Sequence, residues 1–183
     1  MPDGDASAGV AIVSVRSLLS LGRVLARTSI GSPILGADDG NKETFWVASS
    51  RLWRGQRVGI CGQRSRFGPA FASRMQEGDP WFVGFGQRVA IVDPITSQVL
   101  VDAPLQAGVF FTFLEAGSGH PLIAIFEVGV SAYRWDGQQA WFRPFAEVIN
   151  GWRIQGSALE LTCLEGSTVS MAIDGGQLLQ PKG

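Results

Sequence analysis

Turn-forming clusters recur along this chain about every 20 residues, and turns of one kind recur at 38 to 41, a rhythm made by short antiparallel strands. One series runs Trp53-Arg54-Gly55-Gln56, Ile95-Thr96-Ser97-Gln98, Asp136-Gly137-Gln138 and Asp174-Gly175-Gly176-Gln177. A second interleaves with it: Asp39-Gly40, Glu77-Gly78 and Glu115-Ala116-Gly117. Between these turns from Thr44 onward lie runs rich in Val, Ile, Phe and Leu, at Arg88 to Val92, Gln98 to Val101, Val109 to Leu114, Leu122 to Val130 and Leu159 to Leu164. β-Branched and aromatic residues suit a pleated, half-buried surface, so each run predicts a strand. In the run Leu122 to Val130, alternation puts Phe126, Val128 and Val130 on one face and turns Glu127 outward. The prediction is a mainly β chain, in which residues 44–180 form about four antiparallel β-meander units.

Val89 to Leu100 superposes on Val130 to Trp141 at an offset of 41 residues. In both, a strand runs into a polar turn and out into a strand carrying a large apolar residue. Over about residues 45 to 180 this pattern resembles the blades of β-propellers of the pyrroloquinoline-quinone or WD-like type, and the resemblance implies four blades that nearly exhaust the chain. A β-sandwich or an open barrel would space its turns similarly. Residues 1–30 read differently. Leu18, Leu21 and Leu25 fall at helical spacing between Arg16, Arg23 and Arg27, which predicts a short helix weakened by Gly22; a strand pair is the alternative.

The 183 residues suit one domain, and a chain of this length buries about two-thirds of its unfolded surface without cross-links. With 45% hydrophobic and 17% charged residues it forms a core and is no disordered tail. Cys61 and Cys163 make no disulfide framework and no zinc spacing, and are expected to be small buried hydrophobes. Asp3 and Asp5 precede the short apolar run Val10 to Val15, the wrong sign for a secretory signal, and no run reaches membrane-spanning length. The expected location is the cytoplasm.

Chemistry has few carriers here. The one histidine, His120, sits in the turn Ser118-Gly119-His120-Pro121 and is expected to be a solvated turn residue. Gly117-Ser118-Gly119 lacks the spacing of a nucleophile elbow, and Gly84-Phe85-Gly86 lacks the third glycine and following helix of a dinucleotide site. Asp38-Asp39-Gly40-Asn41 lacks the spaced carboxylates of a calcium loop. Paired-carboxylate hydrolysis needs two acids a few ångströms apart, and spacing does not place Glu127, Glu147 and Glu160 relative to one another. The expectation leans away from an enzyme, with no cofactor and no metal.

Charge is uneven. Residues 1 to 76 hold ten basic against five acidic side chains, and residues 77 to 183 hold five against eleven. Between Thr44 and Gln76 stand Arg51, Arg54, Arg57, Arg64, Arg66 and Arg74 with no acid, and Trp53 lies among them. Guanidinium groups pair bidentately with carboxylate or phosphate, and an aromatic neighbour can stack. These seven residues are the candidate site: a non-enzymatic protein-interaction module, of the kind of a small bacterial inhibitor, immunity or accessory protein, binding an acidic or polar partner through an Arg/Trp surface. Two alternatives stand beside it: a ligand-binding or hydrolytic enzyme with its site in loops at one end of the sheets, and a nucleic-acid binder using Arg51 to Arg74. The sequence pI of about 5.8 argues against nucleic acid, whose binders are commonly strongly basic.

Overall fold

The computed structural model describes residues 14–18, 32–36, 43–49, 57–62, 68–73, 79–93 and 95–180. Within them lie 15 strands in four sheets that follow one another along the chain. The first sheet holds β1 (Ser14–Leu18), β2 (Ile34–Leu35), β3 (Thr44–Ser49) and β4 (Arg57–Gly62), in the order β1-β3-β4-β2. The second is a meander of β5 (Ala70–Ala72), β6 (Trp81–Phe85), β7 (Arg88–Val92) and β8 (Val99–Pro104). The third repeats it with β9 (Phe110–Glu115), β10 (Leu122–Phe126), β11 (Gly129–Tyr133) and β12 (Gln139–Pro144). The fourth has β13 (Ile149–Gln155), β14 (Ala158–Cys163) and β15 (Thr168–Ala172), with a bridge from Met171 to Leu178 where a fourth strand would pair. All pairings are antiparallel except that of β2 with β4. No helix among the described residues is long and apolar enough to cross a membrane.

The inner strands β6, β7, β10 and β11 are buried along their whole length because each works on two faces. In the second sheet Trp81, Val83, Phe85, Ala90 and Val92 pack on Leu35, Ala48, Val58 and Ile60 of the first. The alternate residues Phe82, Val89 and Ile91 pack on Phe110, Leu122, Ala124, Phe126 and Tyr133 of the third. The third sheet repeats the device, turning Ile123, Ile125, Val130 and Ala132 onto Ile149, Leu159, Leu161 and Met171 of the fourth. Strands buried on both sides read as continuous apolar runs, whereas β14 ends the series and alternates. Three cores thus join neighbours in chain order; among the described residues no core cluster joins the first sheet to the fourth.

Two expectations are corrected. Ser17 and Leu18, predicted to open a helix, belong to β1, whose Arg16 and Leu18 pair with Val47 and Phe45 of β3. The ladder satisfies backbone groups that an interrupted, glycine-containing helix would hold poorly; residues 19–31 lie outside the described set. Leu122 to Val130 is also not one strand: it folds back at Glu127-Val128, with Phe126 opposite Gly129. The turn is fixed by backbone bonds to neighbouring segments, Val128 N–H to Ala107 O at 2.9 Å and Ile149 N–H to Glu127 O at 2.8 Å.

Candidate functional site

In a meander the first-to-second and third-to-fourth connections fall at the same end of the sheet. The two turn series occupy these connections: Ile95-Thr96-Ser97-Gln98 joins β7 to β8, Asp136-Gly137-Gln138 joins β11 to β12, and Glu115-Ala116-Gly117 leaves β9. Across this end the third and fourth sheets are clasped by His120, whose Nδ1 lies 2.7 Å from Asp174 Oδ1. The Trp135 indole N–H donates to the His120 carbonyl at 3.0 Å. The histidine expected to be a solvated turn residue is therefore a tether between loops, with 29% of its side chain exposed.

Between the second and third sheets this end opens into a cavity of about 390 Å³ lined by Asp79, Pro80, Asp93, Leu100, Trp135 and Asp136. Trp135 stands edge-on to Phe82, with ring centroids 5.9 Å apart and planes at 89°. Asp93 Oδ1 accepts the Ile95 and Thr96 N–H groups at 2.7 and 3.2 Å, and Asp136 Oδ1 accepts the Gln138 N–H at 2.9 Å. Both are side-chain-closed turns, so part of each carboxylate is structural. Asp79 differs: its Oδ2 is buried and has no hydrogen-bond partner among the described residues. The Ile95 N–H and then the Thr96 hydroxyl and N–H hold the Asp93 carboxyl below its usual value of 3.8. A folded-state value below the unfolded one stabilises the fold above pH 3.8, and this contribution disappears as pH falls through the lower, folded value. Calorimetry should therefore show Asp93→Asn melting below the parent at neutral pH, with the gap closing as pH falls below 3.8.

The cavity's remaining wall belongs to β8. This strand is the outer edge of the second sheet, and Val99, Leu100 and Val101 are 40%, 52% and 36% exposed. Ile95, in the turn leading to it, is 66% exposed. The one acid of the strand, Asp102, is turned inward to Arg88, with Nη1 to Oδ1 at 3.0 Å, so no charge of its own guards this edge.

Of the predicted site residues, Arg57 is exposed at the first position of β4, opposite Ser49. Arg51, Trp53, Arg54, Arg64, Arg66 and Arg74 lie outside the described residues, as does Asp38-Asp39-Gly40-Asn41. Cys61 and Cys163 are buried without a disulfide, as expected. The three glutamates weighed for hydrolysis have separate partners: Glu127 Oε2 takes the Val109 N–H at 3.4 Å, Glu147 takes the Ser167 hydroxyl at 2.8 Å, and Glu160 pairs with Arg153. No group of acidic, histidine or cysteine side chains among the described residues is arranged to hold a metal. The cavity residues Asp79, Asp93, Leu100 and Asp136 were missed by sequence reasoning, although Asp93, Asp136 and Asp174 recur in equivalent connections and signalled an acidic loop end. Neither a protein-family model nor a curated protein matches the chain.

Proposed function

We propose that this protein is a binding module that captures an extended polypeptide segment by adding it as a strand to the exposed edge of β8. One observation carries the reading: an apolar edge strand without a guarding charge lies against an acidic cavity, and Leu100 belongs to both. An edge strand offers a row of backbone donors and acceptors that an extended chain satisfies, while pockets beside it select side chains. A packed stack of sheets suits the task, since β7 behind the edge is buried throughout. On this reading each sheet acts as a blade of a propeller-like array, and β8 is the solvent-facing fourth strand of the second. The arginine cluster at Arg51 to Arg74 is not required for it.

The test is titration with an acetylated, amidated strand peptide of alternating valine and threonine, followed by amide chemical shifts. Shifts are expected on β8 and the Asp93 to Gln98 turn. Val99→Lys with Val101→Lys, both on the exposed edge, should weaken binding about tenfold or more, because charged side chains on an edge oppose strand addition. Unchanged affinity in that variant, or shifts confined to another face, would defeat the proposal.

A further inference from the structure

We infer that the cavity between the second and third sheets is a socket for an arginine side chain carried by the strand that docks on β8. The inference rests on the docking proposed above and names the side chain it selects. Its basis is a comparison of the chain with itself. At the junction of the third and fourth sheets, Trp141 of β12 lies across Gly176, so closely that a Cβ there would be 2.8 Å from Trp141 Cδ2. The Trp141 indole N–H donates to the Ile173 carbonyl at 2.9 Å.

One junction earlier, the residue 41 positions before Trp141 is Leu100. The turn facing it is Asp136-Gly137-Gln138, the counterpart of Asp174-Gly175-Gly176-Gln177. The bonds from Arg134 N–H to Gln138 O at 2.7 Å and from Ala172 N–H to Gln177 O at 2.9 Å fix that correspondence. Here Ile91 Cγ2 approaches the Gly137 Cβ position at 3.3 Å, and Leu100, half in solvent, does not extend as an indole would. Leu100 instead lines the 390 Å³ cavity together with Trp135 and Asp136.

Two features select its occupant. The later junction is filled by a planar group with an N–H aimed at a carbonyl, and the same correspondence makes the carbonyl of Trp135 the counterpart of that of Ile173. The earlier junction adds Asp79, Asp93 and Asp136, and the buried Asp79 Oδ2, unpartnered among the described residues, lacks the donor that a buried acceptor ordinarily has. A guanidinium is planar, cationic and rich in N–H donors, and it stacks on indole. An ammonium is a compact, strongly hydrated point charge and matches neither the shape nor the stacking.

The strand peptide is tested with arginine at its centre, with the neutral isostere citrulline there, and with lysine. Arginine is expected to bind about tenfold or more tighter than citrulline, with lysine between them. Leu100→Trp, which narrows the socket, should abolish the arginine preference, so that arginine and citrulline peptides bind alike. Asp79→Asn should reduce the preference without filling the space, and serves if the tryptophan variant disturbs β8. Equal binding of arginine and citrulline peptides on β8 overturns the socket and leaves strand docking standing, as does a preference that survives both substitutions. No binding of any peptide on β8 overturns both.

Discussion

Replacing Asp102 by alanine is expected to lower the free energy of unfolding by about 3 kcal/mol or more, although Asp102 lies on an edge strand and in no hydrophobic core. Its carboxylate is shared between two sheets. Oδ1 is 3.0 Å from the Arg88 guanidinium within the second sheet, and Oδ2 accepts the Gly36 N–H of the first at 2.7 Å. The side chains of Arg88 and Asp102 are 7% and 17% exposed, so solvent screens the pair weakly. The Gly36 turn is itself held close to β4: its φ is +66°, and a Cβ there would be 2.1 Å from the Cys61 carbonyl oxygen. Alanine at 102 takes a carboxylate from a buried guanidinium and orphans the Gly36 backbone donor in one step. The double variant Arg88→Met with Asp102→Leu should recover part of the loss, because it removes the buried guanidinium along with the carboxylate but not the orphaned Gly36 donor. Urea unfolding of the four forms measures the coupling, and a loss below about 1 kcal/mol for Asp102→Ala would show that the pair holds nothing together.

Gly84→Ala in β6 should be about as damaging, near 3 kcal/mol, for a steric reason. The Cβ it adds would lie 2.2 to 2.4 Å from three ring carbons of Phe110. Phe110 cannot yield easily: its ring is 4.8 Å from that of Phe113 and 5.6 Å from that of Phe126, and it is 1% exposed. Glycine here is a matter of space, since β6 is ordinary extended backbone. Phe110→Leu should destabilise alone, because it empties ring volume. Combined with Gly84→Ala it should restore more than half of the alanine variant's loss, since the new methyl occupies that volume. Simple additivity of the two losses would contradict the contact.

Much of the fold was legible because it is written in short range. The turns at Asp136-Gly137-Gln138 and Asp174 to Gln177 carry residues that adopt positive φ, Gly137 and Gly176, and their spacing marked the repeat. The superposition of Val89 to Leu100 on Val130 to Trp141 picked out the strand pairs β7–β8 and β11–β12, which the structure places identically in their sheets. The hairpin at Glu127-Val128 was not legible. Its two turn residues include no glycine or proline, both flanking strands are buried on both faces, and the bonds that fix it come from Ala107, Val109 and Ile149. β1 failed for the same reason, since its partner lies across a long connection. The cavity was hidden differently: Asp79, Asp93 and Asp136 look like separate turn residues until the packing of two sheets brings the turns together.

Among the described residues the cores link each sheet to its neighbours in the chain, so these units behave as a quasi-one-dimensional array in their energetics. Its stability is then a sum over junctions between adjacent units, and cooperativity must pass through the third and second sheets in turn. The inner sheets, held on both faces, define the slowest-opening part, while the outer ones can open locally without dragging the rest with them. A partner strand bound on β8 would attach to one of those two inner units and bridge, through the socket, to the other. Occupancy would then lengthen the cooperative unit without changing its shape.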